Sequence, residues 1–216
     1  MARPPGHGPS YEIKRQEIID IAAKLFSEKG YAATGIIEIG DTVGLAKGAL
    51  YYYIKSKENL LVEIQERVLD PLLSAAAKIQ DLDASPVAKL RLLSEELLTV
   101  IFERLDHIWV YEHDYRQLTG DNLTRMLARR HEFESVVRSF LINAMDDGYF
   151  VQTNPSLVVL QFLNMHNHTY QWVRPEHGEW DAKFLAKTYC ATLFTGFSGG
   201  TCDLAAIEAE AAAYQG

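Results

Sequence analysis

The stretch Ala23–Leu61, AKLFSEKGYAATGIIEIGDTVGLAKGALYYYIKSKENLL, decides the fold. Its punctuation reads as the end of one helix, a turn, two short helices meeting at Gly44, and the start of a fourth helix. Working back from it, Ile18, Ala22, Leu25 and Phe26 fall on one apolar stripe at helical spacing. Lys14, Arg15, Glu17, Lys24 and Glu28 are left on the opposite face. Gly30 stops that helix. Thr34 is the expected cap of the second helix, Ile36, Ile39 and Val43 continue the core, and Gly44 supplies the backbone freedom for a tight turn before Leu45. The third helix then carries Lys47, Gly48, Ala49, Tyr51, Tyr52 and Tyr53, with Leu50 as its inward anchor.

Alone, GALYYY reads as an aromatic core helix; after a glycine turn and a short apolar helix it reads as the second arm of a helix-turn-helix. In that setting the small Gly48 and Ala49 let the backbone approach base edges, and Ala49 suits a thymine methyl. Lys47 suits guanine acceptors or a phosphate. Tyrosine hydroxyls suit phosphate oxygens. Ser56 is placed to cap the fourth helix, whose first amides together with Lys57 would clamp the nucleic-acid backbone.

The order of these signals, from Leu25-Phe26 and Gly30-Tyr31 through Gly44-Leu45 and Lys47-Gly-Ala-Leu-Tyr51 to Ser56-Lys-Glu-Asn-Leu-Leu61, resembles the TetR family of transcriptional regulators over roughly residues 14 to 64. The resemblance implies a homodimer of all-helical subunits, each with an N-terminal DNA-binding domain and a C-terminal ligand-sensing domain. By position it implies DNA contacts at Thr34, Lys47, Ala49, Tyr51, Tyr52, Tyr53 and Lys57. The chain departs from the family pattern at Gly35, where a hydroxyl is frequent, at Gly40, where Ala is usual, and at Ile37, where a polar residue is expected.

The chain has 216 residues, 48% of them hydrophobic, and no uninterrupted apolar run of about 18, so a soluble cytoplasmic protein without a membrane role is expected. No signal peptide is read at the start. Cys190 and Cys202 lack metal spacing and suit reduced thiols. The net charge of -8 argues against nucleic acid until it is divided: residues 1–60 carry +1 and the remainder -9. Residues 1–9, rich in Pro and Gly, are expected to be a disordered tail, with Arg3 inert rather than a minor-groove arm. The reader is placed at 10–55 and a ligand-binding and dimerisation domain at 56–216.

The second part also reads as helices throughout: Ser56 to Asp70 with a kink at Pro71, a helix opened by Ser85-Pro86, an aromatic one from Asp106 to about Leu118, a charged one from Asn122 to Asp147, then Asn154–Val173, Asp181–Phe197 and Asp203–Tyr214. All-α is the expected class. The Asn154 helix begins apolar almost all round and ends polar, with Leu163, Asn167, Tyr170 and Arg174 on one face, whose buried polar groups need a neighbouring subunit or a ligand as partner. His166 and His168 diverge on a helix and make poor joint metal ligands.

The segment Tyr170-Gln-Trp-Val-Arg-Pro175 resembles a branch of the same family that answers to CoA thioesters in lipid and steroid-ring catabolism. That resemblance suggests an effector lodged among Trp109, Tyr111 and Tyr115, the arginine helix with Arg125 and Arg129, and the Leu163 face; for the arginines, a solvated face is the competing reading. Phe184, Leu185, Thr188, Tyr189, Thr192 and Leu193 form the expected dimer stripe. The function expected is a ligand-responsive repressor released from a palindromic operator, with a helical interaction scaffold as the alternative. No nucleophile motif, phosphate loop or metal pair points to an enzyme or a cofactor.

Overall fold

The computed structural model describes residues 8–215, and among them every regular element is helical. Ten α-helices follow in order: α1 (Pro9–Lys29), α2 (Ile36–Thr42), α3 (Lys47–Tyr53), α4 (Lys57–Gln80), α5 (Pro86–Glu103), α6 (Leu105–His113), α7 (Gly120–Asp146), α8 (Pro155–Asn167), α9 (Ala182–Phe197) and α10 (Leu204–Ala212). None is long and apolar enough to cross a membrane among the described residues.

The chain divides into two compact units, one formed by residues 8–68 and 106–127, the other by 69–105 and 128–215. In the first, the apolar stripe of α1 buries Ile18, Ala22, Leu25 and Phe26, and Ile39, Val43, Leu50, Leu60, Leu61 and Ile64 close the core around it. Gly30 ends α1 at φ 85°, its N–H still bonded to the Phe26 carbonyl at 2.8 Å. Residues of α6 join this unit through the Gln65 amide, which donates to the Val110 carbonyl at 3.1 Å, and through Ser27, whose hydroxyl donates to Asp106 at 2.6 Å.

The second unit is built on α5, which has the hydroxyl of Ser85 at its N-terminus accepting from the Ala88 amide, and Pro86 in its first turn. Leu90, Leu93, Leu97, Val100 and Ile101 face inward as the periodicity requires. The helices α8, α9 and α10 pack on α5. Arg91, 1% exposed, is held there by Glu95 at 2.9 Å and Glu208 of α10 at 2.6 Å, so the buried charge is paired on both sides.

Four boundaries differ from expectation. Pro9 sits in the first turn of α1, where a missing N–H costs nothing, so the helix starts inside the segment read as a tail. The expectations for the first seven residues, Arg3 included, lie outside the described residues. Pro71 lies within α4, which continues to Gln80 instead of ending at Asp70. The Asn154 helix stops at Asn167 and tightens into a 3-10 turn over His168–Gln171, where the Thr169 hydroxyl pairs with that of Tyr189 at 2.9 Å. Likewise α6 ends at His113, with a separate 3-10 turn at Tyr115–Gln117.

Candidate nucleic-acid interface

The turn between α2 and α3 is closed by two features. Gly44 adopts φ 72°, and the Leu45 amide donates to the Gly40 carbonyl at 2.8 Å. A Cβ on Gly40 would stand 2.8 Å from the Leu45 carbonyl oxygen, so this glycine allows a close backbone approach that a side chain would obstruct. Lys14 of α1 completes the turn, donating to the Val43 carbonyl at the end of α2 at 3.0 Å.

That geometry turns one face of α3 outward. Lys47, Gly48, Ala49, Tyr51 and Tyr52 are exposed, whereas Leu50 is fully buried and fixes the rotation of the helix. Tyr53 is only half-buried because its ring stacks on Tyr11 of α1, centroids 4.9 Å apart and planes at 21°. The Tyr11 hydroxyl donates to the Tyr52 carbonyl at 3.4 Å, and the Tyr52 ring stands edge-on to both other tyrosines. Burial raises the Tyr11 phenol above its ordinary pKa, so it remains a neutral donor. Tyr11 was not legible as part of this site, because it lies 41 residues before Tyr52 and no local pattern joins the two.

Two expected contacts turn inward. Thr34 is 1% exposed, and its hydroxyl donates to the carbonyls of Leu25 at 3.2 Å and Gly30 at 3.0 Å. It therefore ties the α1–α2 turn, and the N-cap of α2 is Gly35, which has no side chain to cap with. Lys57 donates to the Tyr31 carbonyl, its ammonium lying 4.0 Å from the centre of the Tyr31 ring. Burial lowers its pKa, against the pull of Asp114, which itself accepts from the Tyr31 amide at 3.2 Å. Ser56 does cap α4, accepting from the Asn59 amide at 3.0 Å. Ile37 is 62% exposed on α2, an apolar residue facing out where a polar one is usual.

The expected effector residues fall in both units. In the first unit lie Trp109, Tyr111, Tyr115 and Arg125; Trp109 packs against His113 with centroids 4.3 Å apart, and Arg125 pairs with Glu66 at 3.4 Å. In the second lie Arg129, Leu163, Asn167, Tyr170 and Arg174; Arg129 pairs with Asp70 at 2.6 Å, and Arg174 donates to the Val173 carbonyl at 2.7 Å. Because α8 stops at Asn167, Tyr170 and Arg174 do not continue its face as one helical stripe. His166, expected to be structural, is fully buried between Ser94 and the Phe162 carbonyl.

In the dimer stripe, Phe184, Thr188 and Thr192 are exposed and Tyr189 is half-buried. Leu185 and Leu193, at 4% and 8% exposure, belong instead to the core of their own unit. Among the large apolar residues that face out in this unit are also Leu157 and Leu160 of α8, at 58% and 53% exposure.

A glycine-hinged pair of short helices with an outward basic, aromatic and small-residue face defines a helix-turn-helix DNA-binding regulator. A family model described as "Bacterial regulatory proteins, tetR family" matches residues 18–64, and one described as "Tetracyclin repressor-like, C-terminal domain" matches residues 83–197. The chain belongs to the TetR family of transcriptional regulators.

The HTH-type transcriptional repressor KstR2 of Rhodococcus jostii is 28% identical over 205 residues, covering 92% of this chain and 98% of the relative. The structure of the ketosteroid transcriptional regulator KstR2 of Mycobacterium tuberculosis superposes with a TM-score of 0.80 at 25% identity, over 90% of this chain and 98% of that one. AibR, solved in complex with isovaleryl coenzyme A and operator DNA, shares the fold at a TM-score of 0.74 and 24% identity, over 84% of this chain and 98% of that one.

Proposed function

We propose that the protein is a repressor that binds a palindromic operator as a two-fold homodimer and is released by a small hydrophobic effector, with acyl-CoA thioesters as the class to try first. The observation that supports this reading most directly is the face of α3. Its one large apolar residue, Leu50, is buried, and five consecutive-turn neighbours, Lys47, Gly48, Ala49, Tyr51 and Tyr52, point outward. A face of this kind reads base edges through its small residues and positions itself on phosphates through its lysine and phenols.

A single reader of seven residues recognises only a short half-site. Two-fold pairing doubles the contacts on half-sites one helical turn apart. The exposed apolar residues Leu157 and Leu160 of α8 and Phe184 of α9, two helices that pack on each other, are proposed to make that pair. The effector class is carried over from the resemblance of the Tyr170–Pro175 segment, and KstR2, the repressor to which the chain is similar over nearly its whole length, is itself named a ketosteroid regulator. An effector that favours the non-binding dimer by about 1–3 kcal/mol suffices to change occupancy.

The test is selection of bound sequences from a random duplex pool, then mobility shift on the enriched site with a panel of acyl-CoA thioesters. A palindrome released by one thioester is the expected result. A palindrome indifferent to all of them removes the thioester class and leaves the repressor, and no enriched sequence removes the repressor.

A further inference from the structure

Two lysines flank the cap of α4, and the structure treats them oppositely. Lys57 is directed into its own unit, its ammonium on the Tyr31 carbonyl and over the Tyr31 ring at 4.0 Å, with the Phe26 ring 5.7 Å away. Withdrawing it toward a phosphate would leave that carbonyl with only the Thr34 amide, at 3.3 Å, and expose the ring face the ammonium covers. The Tyr31 amide is fixed at the same time by Asp114, so backbone and lysine are held as one joint. Lys55, two residues earlier, is exposed and makes no ion pair or hydrogen bond among the described residues.

Its position matters as much as its freedom. Lys47 opens α3, and Lys55 comes two residues after its last residue, Tyr53, past the extended Ile54, so an exposed lysine stands at each end of the recognition helix. Of the other basic residues of the reader, Arg15 pairs with Glu63 at 2.7 Å, Lys14 with Glu17 at 2.9 Å and Lys29 with Glu38, while Lys24 is exposed on α1, away from the cap of α4 in sequence.

We infer that Lys55, and not Lys57, is the phosphate anchor on the α4 side of the reader, and that Lys57 is a positioning residue that holds the Tyr31 turn. The inference rests on the DNA-binding reading above and assigns one of its contacts. It also bears on how a reader with a net charge of only +1 over residues 1–60 would bind: two lysines without an ion pair, Lys47 and Lys55, stand on either side of the recognition helix.

The experiment measures affinity of the full chain for the enriched operator and for an unrelated duplex over a salt series, with Tm recorded for each variant. Lys55→Ala is expected to weaken both duplexes alike and reduce the slope of log K against log salt by about 0.9, the value of one lost phosphate contact, at unchanged Tm. Lys57→Met is expected to lower Tm while the slope stays that of the wild type. A reduced slope for Lys57→Met at unchanged Tm, or an unchanged slope for Lys55→Ala, overturns the assignment. If the wild type binds no duplex, the DNA-binding reading itself fails, and this is visible before either variant is made.

Discussion

The ring of Tyr11 lies flat on that of Tyr53, centroids 4.9 Å apart, so the first helix of the chain fixes the far end of the recognition helix. A seven-residue helix has little stability of its own, and its orientation depends on such contacts. Tyr11→Ala removes the stack and the hydroxyl bond to the Tyr52 carbonyl, a loss of about 0.5–1.5 kcal/mol for the aromatic pair. Operator affinity is expected to fall while the salt slope stays constant, because no phosphate contact is deleted. Titration of the variant at several salt concentrations checks this; a reduced slope would place Tyr11 on the DNA.

The α2–α3 turn leads to a second prediction. A side chain at Gly40 meets the Leu45 carbonyl, and a β-branched one also crowds Leu50, whose Cδ2 would lie 3.6 Å from the new Cβ. Gly40→Val should therefore destabilise the unit by about 1–3 kcal/mol and abolish sequence preference before it abolishes non-specific binding. Thermal unfolding and competition between operator and random duplex measure the two effects. An unchanged Tm would mean that the turn opens freely.

How much of this was legible in the sequence depends on the range of the interaction. Caps and stops are local: Ser56, Ser85, Asn154, Asp181 and Asp203 all accept from amides two or three residues on, as their residue types suggest. Gly30 and Gly44 adopt positive φ where helices had to end. The rotation of α3 was legible too, because Leu50 is its one aliphatic residue with a bulky side chain.

What the sequence hid is which polar side chain turns inward. Thr34 and Lys57 stand at positions that the family pattern gives to DNA, yet their donors are taken by carbonyls at Leu25, Gly30 and Tyr31. Periodicity could not show that Leu185 and Leu193 face their own core while Leu157 and Leu160 face out, since both helices are apolar on more than one side. Nor does any local signal join Asp114 to Tyr31, 83 residues away.

The dimer patch gives a third prediction. Leu157→Glu combined with Leu160→Glu alters residues more than half exposed in the subunit, so the subunit should fold while a dimer interface placed there fails. Sedimentation is expected to show a monomer, with the dimer dissociation constant raised at least about tenfold, or roughly 1.4 kcal/mol. Leu185→Glu, in the core, should lower Tm instead. A dimer that survives the double variant would move the interface elsewhere.

The buried imidazole of His166 makes stability depend on acid. Its Nδ1 lies 2.7 Å from the Phe162 carbonyl and its Nε2 lies 2.6 Å from the Ser94 hydroxyl, an arrangement that fits one neutral tautomer: Nδ1–H donates, and Nε2 accepts from serine. Burial lowers its pKa from 6.5 to about 4, although the bond to the Phe162 carbonyl acts the other way. An unfolded chain takes up the proton below about pH 6.5, whereas the folded chain resists until about pH 4. The stabilising contribution is therefore complete above 6.5 and is lost as pH falls toward 4, a change of about 3 kcal/mol at most. His166→Asn lacks this titration, so it should be less stable than the wild type at neutral pH, with a gap that narrows on acidification. Denaturant unfolding of both proteins across this window measures it, and comparing them cancels the carboxylates that titrate in both. A gap that stays constant would mean that the imidazole takes up its proton as readily in the folded chain as in the unfolded one, and that the neutral arrangement inferred from Ser94 and Phe162 is wrong.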